Sequence, residues 1–329
     1  MKTTLASYKN GNYNVMLLSD GTKIRYGKNG EEFDAAFPES IDLNITDWCD
    51  IGCSFCYRGC TEKGQHFRFD EKYLDSLGFK PGMEIALGGG SPIKHPDLDK
   101  FCEYFTKRGC IPNITVHWSS MAIVEGGDLR HLQRLQDDGL LHGIGVSVPS
   151  VYDAQIMRVM KYHLKNTVAH AIAGIVDTNA VYQWYKTGIP VLVLGYKDMG
   201  RGKINNPEDG IEIWHEIYLL KDMVSGIADG SGLPDFESTY GPIPDDVKPI
   251  ISFDNLAMKQ LDLQELLPEE TFYDMYMGDD GIGGSLTSAS MYMDLVSGTY
   301  ARNSVDAKSH KIETGETISQ LFSKLKEKP

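Results

Sequence analysis

Residues 40–56 read SIDLNITDWCDIGCSFC, and this stretch joins a strand pattern to a group of cysteines. Apolar and polar side chains alternate over residues 40–46, as expected for a β-strand with one buried face. Cys49, Cys53 and Cys56 follow almost at once. The sequence therefore predicts a strand that runs directly into a loop able to present three thiolates from one short segment.

The same strand opens a series of strands that alternate with helices. Further short apolar runs, each typical of a buried strand, occupy residues 83–87, 114–118, 143–148, 168–175 and 189–194. The stretches between several of these runs begin with acidic residues, carry one apolar face and in some cases end at glycine, which are helix signals. This alternation is typical of a parallel sheet with right-handed crossovers. We therefore predict an α/β fold, a partial (β/α)6 TIM-like barrel over residues 40–228.

Two regions flank the predicted barrel. Residues 1–39 contain a β-hairpin and its lead-in, with a Ser-Asp-Gly turn signal at 19–21. Residues 229–329 begin with a Gly-, Pro- and Ser-rich boundary and are predicted as a C-terminal α+β extension that binds substrate or caps the barrel. Within this extension we expect a seventh strand at 249–253, a second hairpin at 291–304, and an acidic, glycine-rich stretch at 278–284 that is either a lid or a surface loop.

Charge and hydropathy narrow the functional classes. The 329 residues include 46 acidic and 32 basic side chains, a formal net charge of −14. Since phosphate binding relies on basic patches and the sequence has no Lys/Arg-rich tract, we expect no nucleic-acid partner. No apolar stretch reaches the ~18 residues of a membrane-spanning helix, and the polar start lacks a signal-peptide core. We therefore predict a cytoplasmic protein whose six cysteines are metal ligands or buried thiols.

Three thiolates at this spacing fit two kinds of metal site. A structural zinc site takes four ligands, commonly as two separated pairs, and Cys60 could supply the fourth thiolate. Iron–sulfur clusters are also held by thiolates. Three cysteines on a four-iron cluster leave one iron without a protein ligand, and that iron could bind and activate a small molecule. The residues alone leave open a non-catalytic iron–sulfur electron-transfer module or a zinc-binding module.

The arrangement of Cys49, Cys53 and Cys56, CxxxCxxC with the aromatic Phe55 before the last cysteine, resembles the signature of radical S-adenosylmethionine (SAM) enzymes. The resemblance covers residues 41–197 and identifies no subfamily. It implies that the three cysteines hold a [4Fe-4S] cluster and that SAM binds the open iron. It further implies an oxygen-sensitive enzyme that takes an electron from a donor such as flavodoxin or ferredoxin. Reductive cleavage of SAM would then give methionine and a 5′-deoxyadenosyl radical, which abstracts hydrogen from a peptide or small-molecule substrate.

The resemblance also implies a set of SAM-binding residues. The segment LGGGSP at 87–92 follows the second strand, where the family has a GGE-like segment that lines the methionine part of SAM. Gly90 stands where an acidic residue is usual, so binding through the main chain is expected there. The departure also leaves open an inactive barrel that only binds a partner. The cofactor-binding residues implied by matching positions are Phe55, Tyr57, Gly88, Gly89, Gly90, Ser91, Ser119, Ser147 and Arg158.

Other chemically capable residues receive a structural interpretation. Cys102 lies on an apolar helix face and Cys110 opens a strand, so both are predicted as buried thiols. No cysteine follows Cys110, which argues against auxiliary clusters. His117 lies on a strand and could point into the barrel, but as an isolated histidine it is not a predicted ligand. Lys197 is predicted to be either a substrate contact or a solvated lysine. Asp254 is predicted to be either a substrate contact or a helix cap.

Overall fold

The computed structural model describes residues 2–123, 127–203, 207–229, 233–269, 272, 289–306 and 309–327. Its strands form two sheets. The first is a three-stranded antiparallel sheet of β1 (Thr4–Asn10), β2 (Tyr13–Leu18) and β3 (Lys23–Tyr26), in chain order. The predicted N-terminal hairpin is β2–β3, and β1 adds a strand that the sequence does not predict.

The second sheet has ten strands and contains the predicted strand–helix series. Seven neighbouring strands run parallel and in chain order. They are β4 (Ser40–Thr46), β5 (Glu84–Gly89), β6 (Ile111–His117), β7 (Gly143–Ser147), β8 (Thr167–Ile172), β9 (Val191–Leu194) and β10 (Ile251–Phe253). The strand predicted at 249–253 is therefore confirmed as β10.

Helices connect these strands. They are α1 (Glu71–Leu77), α2 (Leu98–Lys107), α3 (Asp128–Asp137), α4 (Ala154–Tyr162), α5 (Thr178–Tyr185) and α6 (Pro207–Ala228). Aspartates begin three of them, since the side chains of Asp70, Asp153 and Asp177 accept hydrogen bonds from first-turn amides. Because the strand order follows the chain order, right-handed crossovers place the connecting helices on one face of the sheet.

We call the face of the parallel sheet that lies opposite the connecting helices the inner face. Burial alternates along the strands, so that Ile85 and Leu87 pack among the helices while Ala86 and Gly88 belong to the inner face. One row of paired residues crosses this face near the carboxyl ends of the strands. It consists of His117, Ser147, His170, Leu192 and Ser252.

Three C-terminal strands extend the sheet beyond β4. β11 (Ser290–Asp294) pairs in parallel with β4, and β12 (Thr299–Ala301) and β13 (His310–Lys311) follow antiparallel. The predicted second hairpin is β11–β12. The remaining helices are α7 (Pro234–Tyr240), α8 (Asn255–Gln260), α9 (Leu263–Leu266) and α10 (Ile318–Glu327). The stretch at 278–284, predicted as a lid or a surface loop, lies outside the described residues.

The described strands make a linear order, from β10 at one end to β13 at the other. The structure therefore shows a mixed α/β fold with a large, mostly parallel sheet, and closure into the expected barrel is not established by it. The boundaries at 39/40 and 228/229 stay predictions. Within the described parts of the chain, no helix has the length and apolar character needed to span a bilayer.

A buried ionic network attaches the N-terminal sheet at the amino ends of β4 and β5. The fully buried Glu39 accepts hydrogen bonds from Arg25 Nε at 2.9 and 3.0 Å and from the hydroxyl of Tyr13. Lys23 Nζ lies 2.7 Å from Glu84 at the start of β5. Burial alone would raise the pKa of Glu39, but the hydrogen bond from Arg25 and the charge of Lys23 hold this pKa below its usual range.

Candidate functional site

The cysteine loop, residues 47–60, begins where β4 ends and turns back on the chain that follows it. Cys49 N–H donates to Thr61 O at 3.0 Å, and Cys56 N–H donates to Cys53 O at 3.3 Å in a turn. Cys49 is buried, whereas Cys53 and Cys56 are half-buried. The three predicted ligands therefore lie together at the carboxyl end of a parallel strand, where barrel enzymes carry their chemistry.

The thiols of this loop influence one another electrostatically. Burial raises the pKa of Cys53, and the neighbouring charges of Cys49 and Cys56 raise it further. A hydrogen bond from the thiol of Cys60 lowers the pKa of Cys56 to about 5, and the same bond raises the pKa of Cys60. The Cys56–Cys60 pair thus shares one proton, and Cys56 is the thiolate of the pair.

The loop fits an iron–sulfur cluster by its donor chemistry. Such clusters are held by thiolates, and the loop offers four thiols in one segment. As the side chains stand, no three Cys, His, Asp or Glu residues of the described chain form a group that could hold a metal ion. A four-iron cluster is larger than a single ion, and each cysteine binds a different iron, so its thiolates stand farther apart than the ligands of one ion.

Two glycines, the last residue of β5 and the residue that follows it, pack directly against the end of β4 and the start of the cysteine loop. At Gly89, which has φ +119°, an added Cβ would lie 1.9 Å from Asn44 Oδ1 and 2.1 Å from Thr46 O. At Gly90 it would lie 2.2 Å from Trp48 O. Gly90 N–H also donates to Thr46 O at 2.7 Å. Glycine at position 90 is therefore required by close backbone packing, which gives a physical reason for the absence of an acidic residue there.

Arg201, which follows β9 in a single turn of 3₁₀-helix, fastens the cysteine loop from the other side. Its backbone N–H donates to Cys56 O at 2.9 Å. Its guanidinium donates from Nε to Cys53 O and from Nη1 to Cys60 O, each at 2.9 Å. One side chain and its own backbone thus hold three carbonyl groups of the loop in fixed relative positions.

Arg58, inside the loop, connects it to the C-terminal strand β11. Its Nη2 lies 2.6 Å from Asp47 Oδ1 and 2.8 Å from Asp294 Oδ2, and its Nη1 donates to the hydroxyl of Tyr292. Asn44 Nδ2 donates to Asp294 Oδ1 at 2.8 Å. Burial would lower the pKa of Arg58, but Tyr292 and the two aspartates outweigh it and raise the pKa above its usual value.

Sequence reasoning does not identify Arg58, Arg201 or Asp294 as parts of the site. The hydrogen bond from Arg201 to Cys53 joins residues 148 positions apart, and the one from Arg58 to Asp294 joins residues 236 positions apart. Only Arg58 carries a local signal, as a cation inside a cysteine-rich loop. Asp294 becomes visible only when the fold pairs β11 with β4, and Arg201 only when the turn after β9 contacts the cysteine loop.

Of the aromatic residues expected to bind SAM, Tyr57 is engaged by a cation. Lys197 Nζ lies 4.1 Å from the centre of the Tyr57 ring and 2.7 Å from Ser304 Oγ. Phe55 is half-buried and packs against the core. Lys197 is therefore not a free solvated lysine, because it joins the cysteine loop to the C-terminal region. A contact with substrate stays a prediction.

The small residues expected to bind SAM lie at the carboxyl ends of the central strands. Gly88 has open space where a side chain would be, with no neighbouring atom closer than 4.0 Å. Ser91 is buried, and its N–H donates to Trp48 O at 2.8 Å. Ser119 Oγ lies 2.8 Å from His117 Nδ1, and Ser147 pairs with His117 on the next strand. The fold thus brings Ser119 and Ser147 to one region of the inner face.

Arg158 differs from the other predicted cofactor residues in its position. It is exposed on α4, and its charge acts on the nearby Tyr152, whose pKa is raised by burial and by Asp153 and lowered in part by Arg158. The structure shows no contact between Arg158 and the cysteine loop in the described residues. Its assignment to SAM stays a prediction.

Cys102 and Cys110, which the sequence predicts as core thiols, are buried, and Asp254 caps a helix. Burial raises the pKa of both Cys102 and Cys110 to about 12, as expected for inert core thiols. Asp254 caps α8 by accepting from Ala257 N–H at 2.7 Å, and it also accepts from Gly195 N–H at 2.9 Å. The helix-cap interpretation of Asp254 is therefore confirmed.

His170 is a further polar residue of the inner face that sequence reasoning misses. Its ring lies over Gly145, where an added Cβ would come within 2.2 Å of the imidazole. Burial lowers the pKa of His170 to about 4, so the ring is neutral near pH 7. Within the described part of the chain, its Nδ1 has no hydrogen-bond partner. A neutral imidazole with an unused nitrogen therefore lies beside Ser147.

Comparison with solved structures identifies proteins of the same fold. SuiB from Streptococcus suis, bound to S-adenosylmethionine, matches 84% of this chain at 13% identity with a TM-score of 0.53. SuiB bound to the precursor peptide SuiA matches 90% at 12% identity with a TM-score of 0.56. Native anSMEcpe with bound AdoMet matches 88% at 12% identity, covering 80% of its own chain, with a TM-score of 0.52. The chain spans 64% and 66% of the two SuiB chains.

These likenesses concern the fold. No protein-family model matches the chain, and no curated protein matches it in sequence. Two of the matched structures contain S-adenosylmethionine, and the likeness of this chain to them is one of fold.

Proposed function

We propose that this protein is a radical SAM enzyme in which Cys49, Cys53 and Cys56 hold a [4Fe-4S] cluster. The observation that carries the proposal is the position of the cysteine loop. Its three thiols lie at the carboxyl end of β4, with the glycine segment after β5 packed on the loop backbone. We also infer that the parallel sheet curves into the partial barrel typical of that superfamily.

When bound and reduced by one electron, the cluster would supply the reductive cleavage of SAM to methionine and a 5′-deoxyadenosyl radical. The chain's own residues have other tasks. Gly88 leaves room beside the loop, and Ser119 and Ser147 offer hydroxyl groups for the polar parts of SAM. Arg201 and Arg58 hold the loop from two sides, so that the backbone carrying the three cysteines keeps a fixed path.

The substrate that we propose is a peptide, with a small molecule as the alternative. Support comes from SuiB, a protein of the same fold that has been crystallised with its precursor peptide. Further support is the inner face itself, where the neutral His170 is paired with Ser147 on one side and Leu192 on the other. Such a surface suits an uncharged chain segment with hydrogen-bonding groups. A nucleic-acid substrate is disfavoured by the net charge of −14.

We place the reaction in the cytoplasm, with flavodoxin or ferredoxin as electron donor. The test is anaerobic reconstitution with iron and sulfide, followed by reduction with dithionite and addition of SAM. Mass spectrometry should detect 5′-deoxyadenosine from the wild type and none from Cys53→Ala. A wild type that assembles zinc alone and binds no SAM would overturn the proposal.

A second candidate rests on the hydrogen bond between Cys60 and Cys56. If Cys60 were a fourth ligand, the site would be a closed electron-transfer or zinc-binding module. Cys60→Ala separates the two functions. It should leave iron content and SAM cleavage intact in a three-cysteine enzyme, and it should abolish metal binding in a four-cysteine module.

A further inference from the structure

The turn that contains Arg201 approaches the cysteine loop more closely than most residues would allow. At Gly200, which has φ +55°, an added Cβ would lie 2.2 Å from Tyr57 O. At Gly202 it would lie 2.5 Å from Lys197 O and 3.0 Å from Phe55 O. Glycines on both sides of Arg201 thus allow the turn to touch the loop backbone, and this contact places the guanidinium across the loop.

The guanidinium of Arg201 is only partly used by the protein. Its Nε and Nη1 donate to Cys53 O and Cys60 O, but its Nη2 is buried and has no partner among the described residues. A buried N–H of a charged group is unfavourable when it lacks an acceptor. The remaining donor lies on a group already bonded to the carbonyls of two cysteines, and a sulfur atom bound in this loop would be an acceptor able to satisfy it.

We propose that Arg201 is a positioning residue that tunes the reduction potential of the cluster, which rests on the proposed function. The two carbonyl bonds orient the guanidinium, and Nη2 donates a hydrogen bond to a cluster or cysteine sulfur. Reduction adds one electron to the cluster. A hydrogen bond to sulfur and a positive charge both favour the reduced, more negative state, so Arg201 raises the reduction potential.

Two variants of Arg201 separate its charge from its geometry. Arg201→Lys retains the cation but not the planar group that reaches two carbonyls, and Arg201→Gln removes the cation as well. Lys203→Gln is the matched control, because Lys203 is an exposed cation two positions away. Each protein is reconstituted anaerobically, and its iron and sulfide contents are measured. The cluster is then titrated with dithionite at defined potentials in the absence of SAM, with the reduced form followed by electron paramagnetic resonance.

We expect the midpoint potential to move to more negative values in Arg201→Lys and further in Arg201→Gln, with Lys203→Gln unchanged. If Arg201→Gln assembles no cluster, the Arg201→Lys titration decides the matter. Variants with wild-type potentials would overturn the inference, even if their iron content fell, because they would show that Arg201 only braces the loop. A wild type that assembles no cluster would instead overturn the proposed function, and this inference with it.

Discussion

Gly90 shows how the neighbouring backbone can require glycine at one position for a steric reason. The space that a side chain would need at this position is occupied by Trp48 O, at 2.2 Å from an added Cβ. A backbone carbonyl cannot move away as the end of a flexible side chain can. The glycine therefore supports the path of the cysteine loop, whether or not SAM is bound.

We expect Gly90→Ala to destabilise the protein by about 2 kcal/mol or more, because the loop backbone must shift to admit the methyl group. Urea denaturation of the apo-protein measures the change. Gly88→Ala is the control, since no atom lies closer than 4.0 Å to its added Cβ. A cost for Gly90→Ala no larger than that for Gly88→Ala would contradict the packing argument.

Two histidines whose pKa is lowered by desolvation, His95 and His170, make the stability of the protein depend on pH. Burial lowers the pKa of both His95 and His170 to about 4. His95 Nδ1 accepts from Asp97 N–H at 3.0 Å, so its Nε2 is the protonated nitrogen and donates to Phe67 O at 3.0 Å. Burial and the nearby His66 keep His95 neutral, and protonation of Nδ1 would in addition break the first bond.

The sign of the pH effect follows from these pKa values. Between about pH 6.5 and pH 4 the unfolded chain protonates both histidines and the folded protein does not, so stability decreases as the pH falls through this window. Each histidine contributes a slope of up to about 1.4 kcal/mol per pH unit. Urea titrations at several pH values should show a smaller slope for His170→Phe than for the wild type. Equal slopes would show that His170 does not titrate as argued.

The strand–helix series is the element that sequence patterns predict best. Apolar periodicity identifies β4 to β9 because each strand and its helix lie within a short stretch of chain, and the side-chain period is a local property. The pairing of β11 with β4 is different, since it joins Ser290 to Ser40. No local signal selects a partner strand at that separation, so the sequence predicts β11 as half of a hairpin and misses its second neighbour.

The same distinction applies to the site. CxxxCxxC is a local pattern, and the cysteines can be read from it. Arg201 and Asp294 act through contacts that exist only after β9 and β11 have joined the sheet. The fold class and the three expected ligands are therefore accessible from the sequence, whereas the residues that hold the loop are not.

Because β11 supports the cysteine loop through Asp294, we expect Asp294→Asn to cost about 2–4 kcal/mol, since it leaves Arg58 with one fewer counter-charge in a buried network. Denaturation of the apo-protein provides the value. Asp137→Asn is the matched control, because its ion pair with Lys165 at 2.9 Å is exposed and should contribute less than about 1 kcal/mol. Similar costs for the two variants would mean that the network does not brace the loop.

The whole molecule should respond to SAM only after the cluster is in place. A ligand that binds only the folded state at 100 times its dissociation constant adds about 2.7 kcal/mol of stability. We therefore expect the reconstituted wild type to melt several degrees higher with saturating SAM, and Cys53→Ala to show no shift. Differential scanning calorimetry under anaerobic conditions tests this expectation. A shift of equal size in Cys53→Ala would place SAM at a site independent of the cluster.

The salt bridge from Arg58 to Asp294 also determines when, during translation, the cysteine loop can be braced. The two residues are 236 positions apart, and a ribosome adds about 5–20 residues per second. For roughly 10–50 s after Arg58 is made, the nascent loop carries its thiols without the strand that braces it. The cysteine loop therefore reaches its braced conformation only after β11 has been synthesised and has paired with β4.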